Sequence, residues 1–229
     1  MEINILQLLQ GAQQARGLTV IIDVFRAFSV SCYAYGNGVE RIYPVGDIEE
    51  AYRLKRDHPE YILVGERKER KPEGFDFGNS PSQLLRSDLS GKTMVHTTSS
   101  GTMGIAHAKH AAEIITGSFV NAGAIIRYIE QQRPEKLSLV CMGYACSYPA
   151  DEDTFLAEYI QAKLQGAPVV FEALVERLRS GSGARFFAPE KQEWAPAEDF
   201  DLCLNLNQFN FVLKVEPDNG RNYLKKIDI

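Results

Sequence analysis

Asp23 and Arg26 stand three residues apart in Asp23-Val24-Phe25-Arg26-Ala27-Phe28-Ser29, directly after an apolar run over 18–22. Across a strand-to-helix turn, that spacing can bring a carboxylate and a guanidinium into one small space. The carboxylate suits a hard cation such as Mg2+, which prefers oxygen ligands and keeps its waters. The guanidinium suits a phosphate, which it can grip through two parallel N–H groups. The plain alternative is a local Asp23–Arg26 ion pair. Two further runs have unusual chemistry. Thr97-Thr98-Ser99-Ser100-Gly101-Thr102 puts hydroxyls and backbone amides at the opening of a helix, a cradle for an anion. In Gly74-Phe75-Asp76-Phe77-Gly78-Asn79-Ser80-Pro81, glycines flank an aromatic-Asp-aromatic unit, and the proline suits the first turn of a helix.

Missing patterns narrow the chemistry. Aspartyl-phosphate enzymes of the haloacid dehalogenase kind need a second aspartate two residues after the first, and Phe25 occupies that place. Cysteine phosphatases need an arginine five residues after the cysteine, and Cys32, Cys141, Cys146 and Cys203 have none there. Neither a Walker loop nor a Gly-x-Gly-x-x-Gly run is present, so kinase and dehydrogenase readings lose support.

The elements that must position these residues alternate. Strands are expected over 18–22, 41–45, 61–64, 93–95, 113–116 and 137–142, each short and apolar. Helices are expected over 29–35, 48–57, 101–109, 122–132 and 151–165. Asp47 and Glu50 form a capping box at the second of these, and acidic residues open the last. Such alternation predicts a three-layer α/β/α fold around a largely parallel sheet, with room for a mixed edge. The carboxyl-terminal part, 166–229, packs onto that sheet: a helix over 171–179, a flexible turn at Gly181-Ser182-Gly183, an irregular stretch over 194–201 and a strand over 209–215. No repeat or linker divides the chain, so 1–229 reads as one domain. Polar residues follow one strand after another: Asp23, then Glu66-Arg67, the 97–102 run, Ser118 with Asn121, and Gly143. In a parallel sheet these ends share the edge where ligands bind.

Composition excludes several classes. The 229 residues carry a net charge of −5, which argues against non-specific nucleic-acid binding and leaves room for a locally cationic pocket. Hydrophobic content of 45% with 24% charged residues is globular rather than disordered. No window of about 20 apolar residues exists, so no membrane span is expected. Unpatterned cysteines without a secretion signal fit a reduced, cytoplasmic protein. His107 and His110 read as solvated, and His96 lies in the strand leading to the hydroxyl run. Apolar stripes at Tyr33 and Tyr35, or over 209–212, could support a homodimer, although core packing explains both equally.

Taken in order, the 23–29, 74–81 and 97–102 runs, with Gly65-Glu66-Arg67 and Gly117-Ser118-Phe119-Val120-Asn121-Ala122, resemble the motif series of the 2-phosphosulfolactate phosphatase (ComB) family. The resemblance covers about residues 18–165. It implies an α/β fold and a Mg2+-dependent phosphatase that converts 2-phospho-3-sulfolactate to sulfolactate and phosphate, a step of coenzyme M biosynthesis in methanogens. Ser100 stands where many members carry Asn, which bears on substrate more than on phosphatase chemistry.

On that resemblance, Asp23 with Asp153 or Glu66 holds Mg2+. Arg26 and the amides of 97–102 stabilise the phosphate oxygens. Asp76 or Glu66 serves as acid or base. Arg67 with Asn121 meets the sulfonate or carboxylate, and Asn79, Ser80 and Ser118 complete the binding set. A covalent role for Asp23 stays open. Two other readings stay open beside this one: a metal-dependent hydrolase of another phosphorylated metabolite, and a non-catalytic anion-binding protein on the same fold.

Overall fold

The computed structural model describes residues 1–229 and contains one nine-stranded sheet. Its strands are β1 (Glu2–Gln7), β2 (Gly17–Ile22), β3 (Arg41–Pro44), β4 (Ile62–Gly65), β5 (Thr93–Thr97), β6 (Ala111–Gly117), β7 (Lys136–Cys141), β8 (Phe211–Asp218) and β9 (Arg221–Asp228). The helices are α1 (Leu8–Gln14), α2 (Ala27–Gly36), α3 (Ile48–Asp57), α4 (Pro81–Leu85), α5 (Gly101–His107), α6 (Ala122–Gln132), α7 (Asp151–Leu164), α8 (Phe171–Ser180) and α9 (Ala197–Cys203). Helices cover both faces of the sheet, the three-layer α/β/α arrangement expected from the alternation.

The sheet order β1-β7-β2-β6-β8-β9-β3-β5-β4 corrects one expectation. The first four strands are mutually parallel, and so are the last three. Between them lie three antiparallel pairings: β6 with β8, β8 with β9, and β9 with β3. An odd number of reversals makes the two parallel blocks run in opposite directions. The polar strand ends therefore do not share one edge of a uniform sheet. They meet because α5, leaving β5, crosses to the other block: Gly104 lies against Ile21 and Met142, and Gly101 against Ala27 and Phe28. β9, absent from the sequence expectation, supplies the third reversal.

Side-chain alternation builds the layers. Val20 and Ile22 of β2 enter one core cluster with α6, α7 and α9, while Ile21 points into a second cluster with α1, α2 and α5. Likewise Val64 and Met94 face the second cluster, and Leu63 and Val95 face a small third one under α3. α2 is buried from Ala27 to Ala34, as its nearly unbroken apolar sequence requires. α3 is the opposite case. It buries only Ala51 and Leu54, opens with Glu49 and Glu50, and closes with Lys55 and Arg56, charges that suit its dipole. The expected capping box is not formed there. Asp47 accepts from the Glu49 amide at 3.0 Å, and Glu50 turns to Arg221 at 3.8 Å. The reciprocal box occurs instead between Ser118 and Asn121. No helix is long and apolar enough to cross a membrane.

Gly65 ends β4 with φ +153, and a Cβ there would lie 2.0 Å from the Thr97 carbonyl oxygen of β5. Only glycine permits the two strands to deliver Glu66 and Thr98 side by side. Gly65→Ala is expected to destabilise the protein by about 2 kcal/mol or more in urea denaturation.

Candidate active site

A cavity of about 430 Å³ opens where the two parallel blocks converge, a size suited to a small metabolite. Asp23 and Arg26 reach it from the β2–α2 turn, Glu66 from the end of β4, Asn79 from the segment before α4, and Thr98, Ser99 and Ser100 from the β5–α5 turn. Glu152 and Asp153 enter from the first turn of α7. Eight expected site residues thus line one cavity.

The remaining expected residues lie behind that lining, and each has a bracing contact. Arg67 donates to Thr97 Oγ1 at 2.8 Å, to the Gly46 carbonyl and to the Glu66 carbonyl. Asp76 accepts from the Leu63 amide at 2.8 Å and from Lys55, away from the cavity. Ser80 donates to Asp199, and Thr102 clasps Thr98. Ser118 and Asn121 are fully buried in their box, with Ser118 Oγ 2.6 Å from Ser29 Oγ. Gly101 abuts Asp23, where a Cβ would stand 2.9 Å from Oδ2.

Arg26 settles its own question. Its partner is not Asp23 but Asp199 of α9, at 2.7 Å, with side-chain exposures of 5% and 0%. The same Nη1 donates to the Trp194 carbonyl at 2.7 Å. The other guanidinium nitrogens make no hydrogen bond. Asp199 also accepts from Ser80 Oγ at 2.9 Å and the Ser82 amide at 3.1 Å, so one carboxylate joins α9, Arg26 and the 74–81 motif.

Negative charge is concentrated beside it. Asp23 Oδ1 accepts from the Ala27 amide at 3.2 Å, while Oδ2 lies against Gly101, whose amide also favours the ionised carboxylate. Asp153 accepts from the Val24 and Gly143 amides at 2.9 and 2.8 Å, tying the β2 and β7 ends together. Glu152 Oε2 is buried without any partner. Burial pushes the Asp23 carboxyl up to about 7, helped by repulsion from Glu66 and Glu152. Burial, then Asp23 and Glu152, raises Asp153 well above the carboxylate range. Burial also raises Glu152, against the opposing pull of Arg185. Glu66 is differently placed: it accepts from the Ser99 amide at 2.7 Å and the Glu69 amide at 2.9 Å, orienting both loops.

Three buried carboxyls without a cationic partner of their own favour either protons or a cation. No three metal-ligating side chains stand close enough to make a closed cage. A hard cation that retains its waters needs only one or two carboxylates, and Asp23 and Glu152, the latter with an unpartnered Oε2, line the cavity.

A family model described as 2-phosphosulpholactate phosphatase matches residues 3–218. The chain belongs to that family. It is 30% identical over 214 residues to the probable 2-phosphosulfolactate phosphatase of Bacillus subtilis (strain 168), covering 93% of this chain and 92% of that one. It is 30% identical over 211 residues to the one named so in Caldanaerobacter subterraneus subsp. tengcongensis, covering 86% and 87%. With the Thermotoga petrophila counterpart, identity is 40% over 146 residues, 64% of this chain and 62% of that one. The family is one of phosphoric monoester hydrolases.

Sequence reasoning missed Asp199, Arg185 and Glu69, and it gave Glu152 no role. Asp199 falls in the stretch expected to be irregular, most of which belongs to α9. Arg185 follows the Gly181-Ser182-Gly183 turn, a 3-10 segment over Ser182–Phe187 whose Gly183 packs on Phe200. Only the Pro before α9 and the acidic residues of its first turn signal that helix in the sequence.

Two expectations follow. Asp199→Ala leaves the Arg26 guanidinium buried and unpaired, and should cost about 3–5 kcal/mol by urea denaturation. His96, held by Ser31 at 3.1 Å and Asn79 at 3.2 Å, is pushed by burial from 6.5 down to about 3. The unfolded chain takes up that proton below about 6.5 while the native one does not until about 3. Stability contributed by neutral His96 is therefore full above 6.5 and lost as pH falls toward 3. Compared with His96→Gln, the wild type should lose up to about 1.4 kcal/mol more per pH unit in that window.

Proposed function

We propose that this chain hydrolyses 2-phospho-3-sulfolactate to sulfolactate and phosphate, with Mg2+ at the buried carboxyl cluster. The observation that carries the reading is the meeting of buried carboxyls without cationic partners and unused Arg26 N–H groups in one cavity. Asp23 and Glu152 would hold the ion, with Asp153 keeping the β2 and β7 ends in place behind them. When bound there, Mg2+ would draw charge from the phosphoryl oxygens and from the ester oxygen as it leaves.

The remaining work belongs to the chain. Arg26, locked by Asp199, presents its free nitrogens to the equatorial phosphate oxygens as their charge grows. Asn79 Oδ1 is occupied by His96, which leaves the amide nitrogen of Asn79, a cavity-lining residue, as its remaining donor. Glu66 fixes Ser99 at the same wall. The departing oxygen needs a proton, and with Asp23 and Glu152 given to the ion, Asp153, whose carboxyl burial raises well above the usual range, is the neighbouring group left to carry one. Asp76, expected to act as acid or base, accepts from the Leu63 amide and Lys55 instead, and this reading gives it no part in that step.

Phosphate release from 2-phosphosulfolactate should require Mg2+ and stop with a chelator. Asp23→Asn should lower kcat by on the order of 100-fold or more while circular dichroism shows the fold retained. Turnover near the wild-type rate in that variant would sink the assignment.

A further inference from the structure

The residues expected to meet the far end of the substrate, Arg67 and Asn121, do not line the cavity, yet the substrate proposed above carries two anions besides its phosphate. Three cationic side chains do line it: Arg26, Lys68 and Arg185. Arg26 sits deep beside the carboxyl cluster and is 4% exposed. Lys68 is exposed and makes no hydrogen bond or ion pair. Arg185 is different. Its Nη2 donates to the Phe25 carbonyl at 3.0 Å, between Asp23 and Arg26 in sequence, and its Nη1 meets Glu69 Oε1 at 3.3 Å. Both side chains of that pair are about a fifth exposed, at 19% and 20%. The guanidinium is therefore tethered at the outer wall of the cavity, nearer solvent than Arg26.

We propose that Arg185 is the specificity residue of this site, receiving the sulfonate of the substrate in place of Glu69. This rests on the functional reading above. The phosphate belongs at the deep end, beside the carboxyl cluster and Arg26. The carboxylate is attached to the carbon bearing the ester oxygen, whereas the sulfonate is one carbon further and so, with the phosphate deep, would reach nearer the outer wall. A guanidinium suits it: planar, weakly hydrated and able to bond two oxygens of one anion. Glu69 acts as the internal stand-in. Its amide is held by Glu66 at 2.9 Å, its φ is +67, and its carboxylate keeps Arg185 oriented and in place until a sulfonate arrives. Lys191, 3.7 Å from the other Glu69 oxygen, remains to receive the displaced carboxylate.

The measurement is the ratio of kcat/KM for 2-phosphosulfolactate to that for 2-phospholactate, which lacks only the sulfonate. Arg185→Gln should lower that ratio by about 10-fold or more, Arg185→Lys by less, and Glu69→Gln should raise it. Thermal melts confirm that each variant is folded, and Glu69→Gln keeps the test alive should Arg185→Gln not fold. A ratio that stays constant across the folded variants overturns the proposal. Should the wild type hydrolyse neither ester, the functional reading fails, and the inference is read on sulfolactate binding by calorimetry. Weaker binding to Arg185→Gln than to wild type sustains it; equal binding, or none to the wild type, overturns it.

Discussion

A guanidinium cannot stay buried without a carboxylate, and Arg26 finds its partner 173 residues further along the chain. That single pairing orders much of the molecule. Asp199 anchors α9 against the 74–81 motif through Ser80 and Ser82, and it holds Arg26 at the cavity with half of its fork in reserve. Aromatic rings close around the pair: Phe25, Phe186 and Phe200 pack at 5.0–6.2 Å, excluding water from one side. The carboxyl-terminal segment is thus a wall of the site as well as a cover for the sheet.

The second constraint is the cost of holding acidic groups together in a dry place. Asp23, Glu152 and Asp153 come from two elements and repel one another, yet backbone amides of Ala27, Val24 and Gly143 hold two of the three in register. Such arrangements sacrifice stability to keep a site ready for a cation or for proton transfer. The surrounding motif residues spread that load. Glycine at 65 lets two strands approach, Thr102 pins Thr98, and Arg67 binds three loops together. Much of the motif series is therefore support for a small set of lining groups.

Strand and helix types were readable because their apolar periods are strong. β2, α3, α6 and α7 lie within a residue or so of where the pattern puts them. β1, β9 and α9 were not readable. β1 is half-exposed along its length, and β9 alternates charged residues with a single buried Leu224, so neither shows an apolar run. α9 is short and acidic and gains its stability from Phe200 and Cys203 in the core.

The sequence by itself determined the fold class, the family and the leading chemical pair, because these depend on local patterns and ordered motifs. Asp23 and Arg26 were legible as a carboxylate and a guanidinium on one turn. Their partners were not. Only the tertiary structure decided that Arg26 answers to Asp199, that Asp23 shares its space with Glu152 and Asp153, and that Arg185 faces them. Those relations follow from α5 crossing between two oppositely directed parallel blocks, and pairing across such distances leaves no mark in the spacing of residues along the chain.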